Sequence, residues 1–300
     1  MIASAPPIER WWSEGESAAI ELDGAPRTIF VRQTGAGGHM TLLHGFPSSS
    51  HDWASVAGEL QAERSLLLTD FLGFGASDKP AEHTYSIHEQ ADLLEAVWRA
   101  RGVRETAVVA HDYAVSVAQE LLARRGEGRG EVELASVTFL NGGIYPELHR
   151  PTPGQVALLD PEHGPKLGAL MNEELFIASL QPTFAPGFDS TREAAEIWRS
   201  MERDGGVLIA HLLIGYVRDR EAHRDRWVGA LEDAGVPLRF VWGLLDPVSG
   251  AHMIERVRER LPDAPVVELA DVGHWPMLEA PGRVAAALRA AATQPAGYLD

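Results

Sequence analysis

Short apolar runs alternate with longer amphipathic ones through most of this chain. Thr28–Arg32, Met40–Leu43, Ser65–Thr69, Thr106–Ala110 and Val137–Leu140 are four or five residues long and mostly apolar, the pattern of strands buried on both faces of a parallel sheet. Leu238–Trp242 and Val266–Leu269 repeat it near the C-terminus. Ser86–Ala100, Val115–Arg125, Ala251–Leu261 and Gly282–Ala292 carry helical spacing instead. Alternation of this kind predicts a doubly wound α/β fold with a mostly parallel sheet.

The rhythm breaks between residues 145 and 226. That stretch is rich in Pro, Glu, His and Arg, has helical segments at Gly168–Ser179, Thr191–Arg203 and Val207–Arg218, and offers no convincing strand. It predicts a helical cap inserted into a core made of residues 1–144 and 227–300. The competing reading is a run of ordinary crossover helices.

Composition narrows the function classes. A net charge of −17 repels phosphate backbones and anionic lipid, which argues against nucleic-acid and membrane-surface binding and mildly favours a neutral substrate. The absence of cysteine removes disulfides, thiolate metal sites and Cys nucleophiles together. Residues 1–12 lack a basic start followed by an apolar core, and no run approaches the ~20 apolar residues that span a bilayer. A cytoplasmic enzyme is the resulting expectation, with no metal and no cofactor motif, working as a monomer or homodimer.

Four features then carry chemistry. In Ala107-Val-Val-Ala-His-Asp-Tyr-Ala-Val, a strand ends, Asp112 follows, and a helix begins at once. Ala110 and Ala114 flank Asp112 at two residues on either side, the small neighbours that a strained strand-to-helix turn requires. Such a turn lifts one side chain above the carboxyl edge of the sheet, where α/β folds bind ligands. A carboxylate there is already ionised at neutral pH and needs no base to become a nucleophile. The bland alternative makes Asp112 a helix N-cap.

His274 follows the last expected strand in Asp271-Val-Gly-His-Trp-Pro, and Asp246 follows another in Gly243-Leu-Leu-Asp-Pro. The chain order nucleophile, acid, histidine is what gives these two weight, because loop histidines and turn aspartates are common. His44-Gly-Phe-Pro follows the strand Met40–Leu43, and Gly45 lets the Phe46 N–H face a developing oxyanion, with the Tyr113 N–H as its partner. Asp70-Phe-Leu-Gly-Phe-Gly-Ala-Ser-Asp-Lys-Pro reads as a shaped structural loop beside the same edge.

The set resembles the α/β-hydrolase superfamily, in its epoxide hydrolase and haloalkane dehalogenase branch. The elbow around Asp112, the His44-Gly-Phe-Pro loop, the helical insert and the late Asp and His all match it. A closer likeness is to the mesoderm-specific transcript proteins and their bacterial relatives, on Phe71-Leu-Gly-Phe-Gly-Ala-Ser-Asp-Lys-Pro, His111-Asp-Tyr, Asn141-Gly-Gly-Ile-Tyr-Pro-Glu-Leu-His-Arg-Pro and Arg226-Trp-Val-Gly-Ala-Leu.

The resemblance implies a two-step hydrolysis of a small neutral substrate by water. Asp112 would form an alkyl-enzyme ester, which His274, oriented by Asp246, would hydrolyse. An epoxide hydrolase is the leading expectation and needs acids for the leaving oxygen; Tyr216 stands where one cap tyrosine belongs, with Tyr145 as a substitute for the other. A haloalkane dehalogenase is the alternative, though Tyr113 and Phe46 stand where its usual halide donors would, leaving Trp198 as a candidate. His44 and Asn141 complete the expected contacts to substrate or leaving group, although His44 also reads as a brace for its loop. A serine esterase is disfavoured, since Ser116 lies one helical turn past the elbow. A non-catalytic binding protein on the same fold is the remaining alternative.

Overall fold

The computed structural model describes residues 5–291. Eight strands form one sheet: β1 (Glu16–Leu22), β2 (Ala25–Thr34), β3 (Gly38–Leu43), β4 (Arg64–Thr69), β5 (Glu105–His111), β6 (Glu133–Leu140), β7 (Leu238–Gly243) and β8 (Val266–Leu269). Their order is β1-β2-β4-β3-β5-β6-β7-β8. From β4 to β8 every pairing is parallel, whereas β1–β2 and β2–β4 are antiparallel. This is the α/β-hydrolase architecture.

Neighbouring strand residues point to opposite faces, so each central strand feeds two cores. Leu43, Val108 and Ala110 belong to the cluster that contains Trp98, Val117 and Trp227. Leu42 and Val109 belong to the other, with Val56, Val284 and Leu288. The helices Ile87–Ala100, Tyr113–Gly126 and Arg224–Glu232 cover the first face; Ala54–Leu60 and Pro281–Ala291 cover the second. Residue 292 of the expected last helix lies outside the described residues.

Between β6 and β7 the described chain contains helices and no strand. Two helices expected to be continuous are broken. Gly164–Leu170 ends at Met171, and Asn172 caps the next helix, Glu173–Leu180, by accepting the Leu175 N–H at 3.0 Å. Gly206–Leu213 and Tyr216–Ala222 are likewise separated, at Ile214 and Gly215. The expected core boundary at residue 227 falls inside the helix Arg224–Glu232, which packs on the helix after β5.

Candidate active site

The carboxyl ends of β3, β5, β6 and β7 gather the chemistry. Asp112 directly follows β5 and has φ 47° and ψ −100°, a conformation that costs a non-glycine residue on the order of 1–3 kcal/mol. The surroundings enforce it. Ala110 and Ala114 are fully buried, and the Asp112 N–H donates to the Asn141 carbonyl at 3.0 Å. No side-chain cap bond forms between Asp112 and the helix it precedes, so the simple N-cap reading does not describe it.

The carboxylate instead turns to the loop after β3, where Oδ2 accepts the Phe46 N–H at 3.0 Å. Gly45 makes that approach possible: a Cβ there would lie 2.8 Å from both Asp112 Cβ and His111 Nδ1. Tyr113 opens the following helix, where N–H groups have no intrahelical acceptor.

On the other side stands His274. Its Nε2 is 3.9 Å from Asp112 Oδ1, and its Nδ1 is 2.8 Å from Asp246 Oδ2. Asp246 also accepts hydrogen bonds from Asn141 Nδ2 (2.9 Å), Ser249 Oγ (2.7 Å) and the Val248 N–H (2.7 Å). Burial opposes its ionisation, but His274 and these donors outweigh that and hold its carboxyl well below the ordinary range. Burial likewise pushes His274 down, yet the charges of Asp246 and Asp112 lift it to about 9.

The histidine loop is fixed from two directions. The His274 N–H donates to Thr183 O at 2.8 Å, and His111 Nε2 donates to His274 O at 2.8 Å. Burial, then the nearby His274 charge, keeps His111 neutral with its pKa lowered to about 3.

Above Asp112 lies a cavity of about 160 Å³, lined mostly by apolar side chains of the helical segment, among them Leu158, Phe176, Leu180, Met201 and Val207. Phe46, Asp112, His274 and Trp275 form its floor side.

Several expected contacts fall elsewhere. His44 uses Nδ1 for Gly45 O (2.9 Å) and Nε2 for the Phe71 N–H (3.1 Å), which leaves neither ring nitrogen for substrate and makes it the brace of its loop. Asn141 is not a substrate contact either; its amide joins Asp246 to β7, accepting the Gly243 N–H at 2.7 Å. Tyr145 points its hydroxyl at Glu232, 3.3 Å away, in a separate surface depression. Trp198 packs behind Phe176, ring centroids 5.4 Å apart, and does not line the cavity. The loop starting at Asp70 is structural: Asp70 accepts the N–H groups of Ser50 and Ala76, each at 2.8 Å.

Tyr216 also does not line the cavity but packs beside the oxyanion loop and the elbow. Its ring lies 6.0 Å from that of Phe46 and 4.9 Å from that of Tyr113. The hydroxyl is buried and makes no hydrogen bond of standard geometry; Arg220 and Gln155 are polar neighbours that favour its ionised form, and Gln155 lines the cavity. Burial and then the Asp112 charge hold the phenol in its neutral form.

One residue escaped the sequence reading. Arg220 is only 2% exposed, and it donates from Nε to Ser116 Oγ and from Nη2 to the Asp112 carbonyl, both at 2.6 Å. Its spacing of four residues from Tyr216 was the available signal, since i and i+4 share a helix face.

Residues 38–281 match the family model for the alpha/beta hydrolase fold. The chain belongs to the α/β-hydrolase family. It is 38% identical over 288 residues to the mesoderm-specific transcript homolog protein of Bos taurus, covering 92% of this chain and 85% of that one. It is 39% identical over 280 residues to LipZ of Mycobacterium tuberculosis, covering 93% and 95%. Among solved structures, the haloalkane dehalogenase DatA of Agrobacterium tumefaciens superposes with a TM-score of 0.74 at 18% identity, covering 93% of this chain and 96% of that one, a likeness of fold. The α/β-hydrolase is an enzyme, and no helix among its described residues is long and apolar enough to cross a membrane.

Proposed function

We propose that this α/β-hydrolase uses Asp112 as its nucleophile and opens small neutral epoxides through an alkyl-enzyme ester. The observation that carries the reading is the position of one carboxylate. Asp112 sits on the strained elbow at the floor of an apolar cavity, bonded to the Phe46 N–H and 3.9 Å from the histidine that Asp246 orients. A carboxylate attacking an ester would yield a high-energy anhydride, whereas attack on an alkyl carbon yields an ordinary ester that water can cleave.

In the first step Asp112 forms a bond to an epoxide carbon, the C–O bond breaks, and the oxygen takes a proton from Tyr216, which does not itself line the cavity but has the lining residue Gln155 as a polar neighbour. In the second, His274 removes a proton from water, which adds to the ester carbonyl carbon. The N–H groups of Phe46 and Tyr113 hold the oxyanion until the diol leaves. The helices between β6 and β7 serve as the cap that sets the size of substrate.

Dehalogenation is the weaker reading. It needs free N–H donors at the floor of the cavity, and the Trp275 N–H is already given to Thr183 Oγ1 at 2.8 Å. The deciding experiment incubates His274→Ala with epoxides and haloalkanes and weighs the intact protein. A gain of one whole epoxide, mapped to Asp112, is expected. A gain of substrate less the hydrogen halide would establish dehalogenation instead, and full activity in Asp112→Asn would remove the nucleophile assignment.

A further inference from the structure

An epoxide ring opening moves a full negative charge from the nucleophile to the leaving oxygen, and one buried cation, Arg220, stands beside both Asp112 and Tyr216. The Arg220 guanidinium has Nη2 4.0 Å from Asp112 Oδ1, and its Cζ stands 4.5 Å from the centre of the Tyr216 ring. Its remaining nitrogen, Nη1, is buried and makes no hydrogen bond of standard geometry, and neither does the Tyr216 hydroxyl, whose ionised form Arg220 favours. The other groups around it do not compete. Ser116 is neutral; His149 is held neutral, first by burial and then by the Arg220 and His274 charges. Asp219, on the same helix, is engaged by the Ile87 N–H at 3.0 Å.

We propose that Arg220 is a positioning residue for both ends of the ring opening: it holds the Asp112 carboxylate before attack and supports the tyrosinate of Tyr216 after the epoxide oxygen has taken its proton. The inference rests on the reading of Tyr216 as the acid, and it explains how one tyrosine suffices where Tyr145 is turned away. Before attack, the Asp112 charge opposes ionisation of the phenol while Arg220 favours it. As the Asp112–carbon bond forms, the carboxylate becomes a neutral ester and that opposition disappears. Arg220 stays in place, so the phenol becomes more acidic as the alkoxide becomes more basic. The balance is complete: the C–O electron pair goes to the leaving oxygen, the phenolic proton joins it, and the charge rests on Tyr216 beside the guanidinium. Protonated His274, formed when water attacks, supplies the proton that restores the phenol.

Two measurements test this. The first needs no substrate. Tyr216→difluorotyrosine brings the phenol into a pH range the fold survives, and its ultraviolet titration is followed with Asp112 intact, in Asp112→Asn, and in Asp112→Asn with Arg220→Gln. The phenol should titrate at lower pH when Asp112 is neutralised and return upward when Arg220 is lost; an unmoved phenol in either comparison overturns the pairing. The second follows alkylation of Asp112 in a His274→Ala background by an epoxide and by an alkyl sulfonate, whose leaving group needs no proton. Arg220→Gln should slow the epoxide at least about 100-fold, the scale of removing one preorganised electrostatic contact, and the sulfonate much less. Arg220→Lys should recover part of the epoxide rate because it restores the charge. Equal losses with both electrophiles, alike in Gln and Lys, would make Arg220 a prop for the elbow and nothing more. Failure of the Arg220-intact background to capture any epoxide would overturn the substrate reading, and the phenol titration would still decide the pairing.

Discussion

His274 Nε2 stands 3.9 Å from Asp112 Oδ1, beyond hydrogen-bond reach and well within reach of charge. Burial lowers the affinity of this imidazole for its proton, but Asp246 and Asp112 together raise its pKa to about 9. An imidazolium cannot take a proton from water. On the proposed mechanism, alkylation of Asp112 would remove one of the two charges that hold that proton, so His274 would become a base when the ester needs one. Asp112→Asn, which mimics the neutral ester, should therefore shift the His274 titration to below 9, read from its ring resonances by NMR. An unchanged titration would show that Asp112 does not govern His274. Ester hydrolysis should correspondingly quicken as pH rises through the His274 pKa of the alkylated enzyme.

Gly45 is the point where the loop after β3 meets the elbow. A methyl group there would lie 2.8 Å from Asp112 Cβ and from His111 Nδ1, so Gly45→Ala must push the Phe46 N–H away from the carboxylate. Steady-state turnover should fall about 100-fold or more, as for other lost oxyanion donors. Turnover within a few-fold of wild type would mean that the Phe46 amide does not serve the reaction.

Asp52 makes the stability depend on pH. The Ser48 hydroxyl faces two acceptors, Gly45 O and Asp52 Oδ2, but carries one proton, so a protonated Asp52 satisfies both bonds. Burial raises this carboxyl to about 8 from an ordinary 3.8. The folded state then keeps a proton that the unfolded chain has lost, and stability falls as pH rises from about 4 to about 8. Asp52→Asn keeps a donor for Ser48 and cannot ionise. Its Tm advantage over wild type should widen across that window and level off above it; a difference that is constant with pH would place the Asp52 proton elsewhere.

How far the fold could be read from sequence follows from burial. Central strands such as Thr106–Ala110 are apolar on both faces and stand out as continuous runs. β1, Glu16–Leu22, was not read as a strand: it sits at the edge, buries only Ile20 and Leu22 and so shows no such run. The antiparallel edge was missed with it, because nothing in Ala25–Thr34 distinguishes its direction. The helix break at Met171 was hidden by an apolar pattern that runs through Asn172 unaltered. Asp112, His274 and Asp246 were legible because each follows a strand directly, and the structure brings the three together. Asn141 and Arg220 were not, since their roles depend on partners 105 and 104 residues away. Tyr145 misled because its place at the entry to the helical segment does not reveal that Glu232 holds its hydroxyl.

Thr183 gives a direct test of whether the cavity withholds a donor that a halide leaving group would need. Its hydroxyl accepts the Trp275 N–H at 2.8 Å and donates to Leu180 O at 2.6 Å, and both Thr183 and Trp275 line the cavity. A halide leaving group would need that N–H free. Thr183→Val keeps the shape and removes the acceptor, leaving a buried indole N–H unpaired at a cost of about 1–3 kcal/mol, measurable by chemical denaturation. The same variant should gain chloride or bromide binding, seen as quenching of tryptophan fluorescence, where wild type shows none at equal concentration. Halide binding by wild type as tight as by the variant would show that the Thr183 bond does not withhold the donor, and would return dehalogenation to the front.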